Sequence, residues 1–437
     1  MIPFLTGAVA NPGYTKPWDA SHAAQKYTDG YTILEANGYT LILGGRIKAD
    51  AFYDINDHQP GTPFGLDVAN IPLRGTPIVD INAYKKGNFN YSMNSSRLYM
   101  DTHKKFGATD VRGYLELDFN GNASTTSNSY TPRLRHAYVE SCGLLIGQTW
   151  FTFSDRDALI FTLDSLASTT GRVVTVRYMV KLNKEWSFMI SADRPNTQLY
   201  QFAVNSNAGT TVSGNTGYFD NDSSSAAAKS QCPDGAAVLK YEHKGSHVSL
   251  RGVLRDLQVK NRIGANGSVE SYKENKLGWG IGVSGKFKVM DCFKIMGQYN
   301  HGHGIGRYIS EFLNQKPLSS VFVYPTSTAA LTAGYKSHLQ AIKAWNASIG
   351  IEIHFTDKIW ANATAAYVKI SRAKNLLALH TPDLHRSFQR YIGNIIYDVL
   401  PNTRVGLEVL HYNRKSGTPI NYTGKDTRVL TSLSYMI

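Results

Sequence analysis

From residue 41 to its end, this chain alternates apolar and polar residues with a period of two, which is the spacing of a β-strand. In the first run, Leu43 and Ile47 lie on one face, and Arg46 and Lys48 lie on the other. The alternation returns in run after run, with the charged residues kept to one face. A sheet with one apolar and one charged face suits a boundary between lipid and water.

These runs predict about sixteen strands, whose connections alternate between short and long. The predicted strands are 41–53, 96–105, 110–120, 132–141, 143–150, 171–182, 185–193, 235–244, 246–259, 277–290, 292–304, 339–355, 358–372, 386–398, 402–413 and 427–437. Short turns such as 183–184 and 356–358 alternate with long loops such as 194–234 and 305–338. Short turns at one rim and long loops at the other are typical of an all-β, transmembrane, antiparallel up-and-down β-barrel.

The composition is compatible with a membrane barrel and excludes a bundle of membrane helices. Hydrophobic residues make up 42% of the chain, charged residues 18%, and the mean hydropathy is −0.28. No run approaches the roughly 18 to 20 consecutive apolar residues that a spanning helix requires. A barrel strand needs apolar residues only at every second position, so its average hydropathy stays low. Aromatic residues near the predicted strand ends would form interfacial girdles; they are Tyr53, Phe119, Trp186, Phe287, Trp360, Tyr397 and Tyr435.

A soluble all-β protein is the alternative fold, but its buried strand faces would not carry a charged residue in strand after strand. Residues 1–40 lack sustained periodicity, and we predict an N-terminal extension there, periplasmic or plug-like, followed by a barrel over 41–437. Bacterial outer-membrane barrels usually end in Phe, with an aromatic residue two positions earlier. Tyr435 matches this pattern, and Ile437 replaces the terminal Phe.

The chain is strongly basic, with 46 Lys and Arg against 33 Asp and Glu, a net charge of +13. In a soluble protein this excess would suggest nucleic acid as a partner. The basic residues are scattered, however, without a basic run or a recognisable nucleic-acid motif, so we expect no nucleic-acid binding. In a pore, the same excess favours anions. The three cysteines, Cys142, Cys232 and Cys292, have the spacing of neither a metal site nor a disulfide framework.

Two features resemble known porins. A barrel of about sixteen strands with a long third loop, here 151–170, is similar to the trimeric general porins, in which this loop folds into the lumen. The run RLRHAY at 133–138, followed by LLIGQTWFTFSD at 144–155, resembles the DcaP-like porins of Gram-negative outer membranes. This resemblance covers about residues 130–180. It implies a homotrimer that takes up small, often negatively charged solutes and whose third loop forms a constriction.

Basic residues on the predicted lumen face, together with acids of the third loop, are the candidate pore-lining residues, because a pore selects by the charges at its narrowest ring. They are Arg46, Lys48, Arg97, Arg112, Arg133, Arg135, Arg177, Arg251 and Arg255 on strands, and Asp155, Asp157 and Asp164 in the loop. Guanidinium groups match carboxylates in a bidentate fashion. Alternatively, the arginines neutralise Asp50, Glu116 and Asp118 on neighbouring strands, and the loop acids anchor the loop to the wall.

We found no support for enzymatic chemistry, a cofactor or a metal. His301 and His303 have no acid at ligand spacing, and no nucleophile elbow or phosphate loop is present. A barrel hydrolase with Ser and His on its outer wall is an alternative. The sequence predicts a passive outer-membrane porin for small hydrophilic solutes, with a preference for anions, dicarboxylates among them. A substrate-specific channel and a structural or adhesive surface protein are the alternative hypotheses. Expected partners are small anionic or polar solutes, outer-membrane lipids including lipopolysaccharide, and further copies of the chain.

Overall fold

The structure is a computed structural model of the 437-residue chain. It describes residues 31–36, 38–55, 71, 73, 87–121, 131–163, 171–197, 199–204, 217–219, 230–263, 269–309, 320–325, 337–371, 385–416 and 422–437. Among these residues, no helix is long and apolar enough to cross a membrane.

Twenty-two β-strands and one short 3₁₀ helix make up the described structure. The strands are β1 (Tyr31–Ala36), β2 (Tyr39–Asp54), β3 (Asn88–Ser92), β4 (Arg97–Phe106), β5 (Thr109–Asp118), β6 (Arg133–Ser141), β7 (Leu144–Trp150), β8 (Arg172–Lys181), β9 (Trp186–Asp193), β10 (Leu199–Val204), β11 (Gly217–Phe219), β12 (Asp234–His243), β13 (Ser246–Ile263), β14 (Val269–Met290), β15 (Phe293–His303), β16 (Ser320–Pro325), β17 (His338–Ala341), β18 (Lys343–His354), β19 (Ile359–Ile370), β20 (His385–Leu400), β21 (Thr403–Ser416) and β22 (Tyr422–Met436). The 3₁₀ helix is Gly306–Tyr308.

Sixteen of these strands form a closed antiparallel barrel, in the chain order β2, β4 to β9, β12 to β15 and β18 to β22. The barrel closes because β2 pairs with β4 through Arg46↔Arg97 and with β22 through Asp54↔Arg428. This architecture confirms the predicted all-β barrel and its sixteen strands. The largest difference is β14, which begins at Val269 instead of 277, since β13 and β14 remain paired far beyond the apolar part of the hairpin.

The two faces of the barrel wall have the predicted characters. Leu250, Ile281 and Ile349 are each more than half exposed on the outer face. Asp54 and Arg428 are fully buried on the opposite face. Of the aromatic residues predicted in the girdles, Trp360 does not lie there: its side chain is buried and packs on Phe161, with ring centroids 5.2 Å apart.

The remaining strands lie beside the barrel wall or form a second sheet. β1 and β3 each pair with β2, next to the ends of its ladders with β22 and β4. β1 falls within residues 1–40, the predicted extension, whose first 30 residues lie outside the described part of the chain. β10, β11, β16 and β17 form a four-stranded sheet, with β10 and β16 parallel.

Candidate functional site

The segment 151–163, which follows β7, is held at its first half by β13 and β14. The Asp155 carboxylate accepts hydrogen bonds from Ser249 Oγ at 2.9 Å and Ser284 Oγ at 2.6 Å, and it contacts His247 Nε2 at 2.8 Å. Arg251 donates to the carbonyl oxygen of Phe153 at 2.6 Å. These contacts all go to the polar face of the wall, so Asp155 is an anchor of the segment.

The other end of the segment is held by β2, β20 and β21. Lys48 Nζ donates to the Leu163 carbonyl oxygen at 2.7 Å, and the Leu163 N–H donates to Glu408 Oε2 at 2.7 Å. Asn394 Nδ2 donates to the Phe161 carbonyl oxygen at 3.0 Å. In the barrel, β14 and β20 are separated by β15, β18 and β19, so the segment is attached at two distant parts of the wall.

Between these attachments, small residues of the wall allow the segment to approach closely. A Cβ added at Gly350 on β18 would collide with the Ile160 side chain, and one at Gly406 on β21 would meet Leu163 Cδ1 at 2.7 Å. Trp360 of β19 packs on Phe161. Apolar side chains of the segment therefore pack against β18 to β21.

Five arginines surround two carboxylates on the part of the wall formed by β2 to β8, and we call them the arginine cluster. Its members are Arg46, Arg97, Arg133, Arg135 and Arg172, each in electrostatic range of Glu116 and Asp118 or bonded to them. Arg135 donates to Glu116 and to Asp118, the latter at 2.8 Å. Arg133 binds Asp118 in a bidentate manner, at 2.7 and 3.0 Å.

The other three arginines of the cluster are held differently. Arg46 donates to the Ser95 carbonyl oxygen at 3.2 Å, and Arg97 lies 3.7 Å from Glu116. Arg172 lies over the ring of Trp150, 4.9 Å from its centroid. Arg46 and Arg97 are direct cross-strand neighbours, an arrangement of like charges that disfavours strand pairing. The cluster thus holds more positive charge than its two carboxylates require.

A cleft lies between the segment 151–163 and the wall from β5 to β13. Its lining includes five basic and three acidic side chains: Arg112, Arg156, Arg177, Lys240, Arg251, Glu140, Asp155 and Asp157. Three buried donors of this lining, Trp150 Nε1, Thr152 Oγ1 and Arg251 Nε, have no hydrogen-bond partner among the described residues. A buried donor without a partner costs free energy unless a ligand or water accepts from it.

The remaining predicted site residues occupy several places. Arg112 binds Asp101 in a bidentate manner at 2.9 and 3.0 Å, and Lys48 binds Asp50 at 2.6 Å. Arg255, away from the cleft, binds Asp234 at 3.0 Å. Asp157 accepts from Lys240 at 3.0 Å, and Arg177 lines the cleft. Asp164 lies outside the described residues.

Sequence reasoning missed several residues of the site, including Arg156, Arg172, Lys240 and His247. Arg156 lies 4.1 Å from the Trp150 ring centroid, close to Arg172. The neighbouring loop acids Asp155 and Asp157 were a signal for Arg156, whereas Lys240 and His247 follow only from contacts with strands far along the chain.

Asp155, Asp157 and His247 place ligand atoms within 4.8 Å of one another, a spacing that would suit a metal ion. Lys240 donates to Asp157, and its positive charge disfavours a cation there. The carboxylate of Asp155 already accepts from two serines. The group is therefore better described as an anchor of the segment than as a metal centre.

A closed barrel with an apolar exterior and a charged inner face is the architecture of an outer-membrane channel. Comparison with solved structures supports this fold. The crystal structure of the outer membrane channel DcaP of Acinetobacter baumannii matches with a TM-score of 0.69 and 20% identity, covering 93% of this chain and 99% of that one. OmpF of Salmonella typhi in complex with daunomycin matches with a TM-score of 0.52 and 11% identity over 92% of this chain and 99% of that one. OmpT of Vibrio cholerae, expressed in the outer membrane, matches with a TM-score of 0.50 and 10% identity, covering 92% of this chain and 99% of that one.

The family model described as DcaP outer membrane protein matches residues 9–349, well over half of the chain. The chain belongs to the DcaP outer membrane protein family. No curated protein sequence matches it. The protein is an integral outer-membrane porin channel, as the sequence predicted.

Proposed function

We propose that this porin passes small hydrophilic solutes passively and prefers anions, with the segment 151–163 folded into the lumen as the constriction. The observation that carries the proposal is the cross-strand pair Arg46 and Arg97 beside Arg135. Like charges at such positions cost stability, so a structural role does not account for them. A passing anion would relieve their repulsion.

The charge of the arginine cluster is large enough to affect permeation. A unit charge about 4 Å from a carboxylate contributes on the order of 4 kcal/mol at an effective dielectric constant near 20, before desolvation is subtracted. Glu116 and Asp118 offset part of this charge, but five guanidinium groups surround them. The wall therefore favours anions over cations near the segment.

Bilayer recordings of the double variant Arg46→Gln with Arg97→Gln test this preference. Neither side chain donates a described hydrogen bond to a carboxylate, so Arg133 and Arg135 continue to hold Glu116 and Asp118. We expect a several-fold lower anion-to-cation permeability ratio from the reversal potential in a salt gradient. The difference should shrink at high salt, because the Debye length falls to roughly 3 Å at 1 M.

The matched control is Lys184→Gln with Lys358→Gln, which removes two exposed charges from short turns. It should leave the reversal potential unchanged. If the arginine variant also left it unchanged, the cluster would be a neutraliser of wall acids and the anion preference would be refuted. Failure to conduct at all would instead support a structural or adhesive role for the barrel.

A substrate-specific channel is the second candidate, and the cleft favours it. Its unpartnered donors Trp150 Nε1, Thr152 Oγ1 and Arg251 Nε, together with its basic lining, suit a ligand with more than one carboxylate. Under this proposal, succinate should block ion current in a saturable way that Thr152→Val weakens. Block that rises linearly with concentration would leave only general diffusion.

We further propose that the protein is a homotrimer, as in the porins that its sixteen-strand architecture and third loop resemble. Chemical crosslinking of the protein extracted in mild detergent should give a trimer band. Monomers alone under these conditions would contradict the proposed assembly.

A further inference from the structure

The outer face of the barrel carries lysines at the long-loop rim of β18 to β22. Lys343, Lys369, Lys415 and Lys425 are all exposed, and all share the face of exposed apolar residues such as Ile349 and Leu407. They lie where these strands begin or end at the long loops. We call these four residues the lysine rim.

The members of the lysine rim lie close together because of the strand register. Trp345 pairs with Lys369, which places Lys343 diagonally across from Lys369. Asn413 pairs with Lys425, which places Lys415 diagonally across from Lys425. Diagonal neighbours in an antiparallel pair are roughly 7 to 8 Å apart. Two basic pairs therefore flank β20, whose residue between them, Ser387, is uncharged.

No described acid neutralises the lysine rim. The acidic residues in β15 and β18 to β22 all lie on the opposite, buried face; they are Glu352, Asp398, Glu408 and Asp426. In the described part of the chain, none of the four lysines has an ion-pair partner. The charge of the rim is directed outward, away from the pore.

Residues next to the lysine rim form layers suited to a lipid headgroup. Trp345 on β18 and Tyr367 on β19 are the next outward-facing residues after Lys343 and Lys369, towards the middle of the barrel wall. Their ring centroids are 5.1 Å apart. Tyr391 and His411 form a similar pair at 6.5 Å. Aromatic rings of this kind lie at the level of lipid headgroups, and the aliphatic band follows beneath them. Lysines just above the rings are placed for phosphate groups.

We propose that the lysine rim binds the phosphorylated glycolipid of the outer leaflet, lipopolysaccharide, through its phosphate groups. Charge complementarity points to this occupant, because the rim is basic, unneutralised and borders lipid. The opposite rim of the same strands ends in Phe355 and Tyr435, without a comparable row of lysines on the outer face in the described residues. The asymmetry matches a membrane whose phosphorylated glycolipid occupies only one leaflet.

Binding of bisphosphorylated lipid A to the purified protein in a nonionic detergent tests the proposal. The variant carries Lys343→Gln, Lys369→Gln, Lys415→Gln and Lys425→Gln. A lysine near an anionic surface contributes roughly fivefold to binding, so we expect at least about tenfold weaker affinity for the variant. Lipid A stripped of its phosphates should bind the wild type weakly and should not distinguish the variant.

The matched control carries Lys105→Gln, Lys181→Gln, Lys184→Gln and Lys358→Gln, which remove the same charge from exposed positions at the short-turn rim. It should bind lipid A within about twofold of the wild type, since these lysines lie on the far side of the apolar band. Equal weakening in the control would assign the effect to net charge and overturn the proposed site. Undiminished binding by the rim variant, or equal binding of dephosphorylated lipid A, would also overturn it.

Heat-modifiable migration on gels should show both lysine variants folded, because exposed lysines contribute little to barrel stability. Ion selectivity should be unchanged in the lysine-rim variant, since the rim faces away from the pore. The experiments can therefore refute the proposed lipid site while the proposed anion preference holds, and they can refute the anion preference while the lipid site holds.

Discussion

At the scale of single residues, the balance of charge determines what each ionisable group does. Arg135 is buried but bonded to two carboxylates, whereas Arg46 and Arg97 lie directly opposite each other on the neighbouring strands β2 and β4. The bonds of Arg135 stabilise the fold, whereas the repulsion between Arg46 and Arg97 destabilises the pairing of β2 with β4. A residue type alone does not separate the two, because the partner decides the role.

Asp155 illustrates a carboxylate whose environment favours its charge. Burial alone would raise the pKa of Asp155, but the hydrogen bond with His247 and the charges of His247, Arg251 and Lys240 hold this pKa well below its usual range. A carboxyl group with a depressed folded-state pKa stabilises the structure above its unfolded pKa, near 3.9, and loses that contribution as the pH falls through the folded value. The anchor should therefore survive mild acid.

We expect single-channel currents of the wild type to stay free of additional closures down to about pH 4.5, because Asp155 stays ionised there. Asp155→Asn should loosen the segment 151–163 and produce closures even at pH 7, because two serines and His247 lose a charged acceptor. Asp157→Asn is the matched control, since its carboxylate is more exposed and should matter less. Quiet currents in Asp155→Asn would show that the anchor is dispensable.

At the scale of elements, glycines on β18 and β21 determine how closely the segment 151–163 packs on the wall. The segment itself has no periodic pattern, so its sequence does not show which strands it contacts. Gly350 and Gly406 provide the room, and Ile160 and Leu163 fill it. The position of the segment therefore depends on wall residues more than 180 positions away in the chain.

Gly350→Ala should displace the segment, because the new methyl group would collide with Ile160 and approach the Ala363 carbonyl oxygen at 3.0 Å. Overpacking of this kind costs about 1–3 kcal/mol, and a segment pushed from β18 would narrow the cleft. We expect lower single-channel conductance and a lower unfolding midpoint. Gly393→Ala is the control, since its Cβ meets nothing within 4 Å. Equal conductance in both variants would contradict the proposed packing role.

At the scale of the whole molecule, closure of the barrel joins the first and last of its strands. Arg428 of β22 donates to both carboxylate oxygens of Asp54 on β2, at 2.6 and 2.9 Å, and both side chains are fully buried. Arg428 also lies 4.0 Å from the ring centroid of Phe52. The pair links residues 374 positions apart in the chain.

Arg428→Ala should destabilise the barrel by about 3–5 kcal/mol, because it leaves the Asp54 carboxylate buried without its partner. Urea unfolding in detergent, followed by intrinsic fluorescence, measures this loss. The double variant Asp54→Ala with Arg428→Ala should lose less than the sum of the single variants, since no uncompensated charge remains. Additive losses would mean that the two side chains act independently.

The alternation of apolar and polar residues in the sequence was sufficient to predict the architecture of this protein. Apolar and charged residues at every second position require a sheet between lipid and water, and the alternation of short and long connections requires an up-and-down order. All sixteen barrel strands followed from these local patterns. The start of β14 did not follow from them. Its pairing with β13 continues beyond the apolar band into polar residues such as Lys273 and Glu274, which show no alternation of apolar and polar residues.

The tertiary structure alone decided which side chains meet. Trp360 fits an interfacial girdle by its position near a strand end, yet it is buried against Phe161. The candidate arginines look alike in the sequence, but contacts across strands separate Arg112 and Arg135, which are bonded to acids, from Arg46, which faces Arg97. The physical reason is that strand periodicity is a local property, whereas charge compensation and packing depend on partners that closure of the barrel brings together.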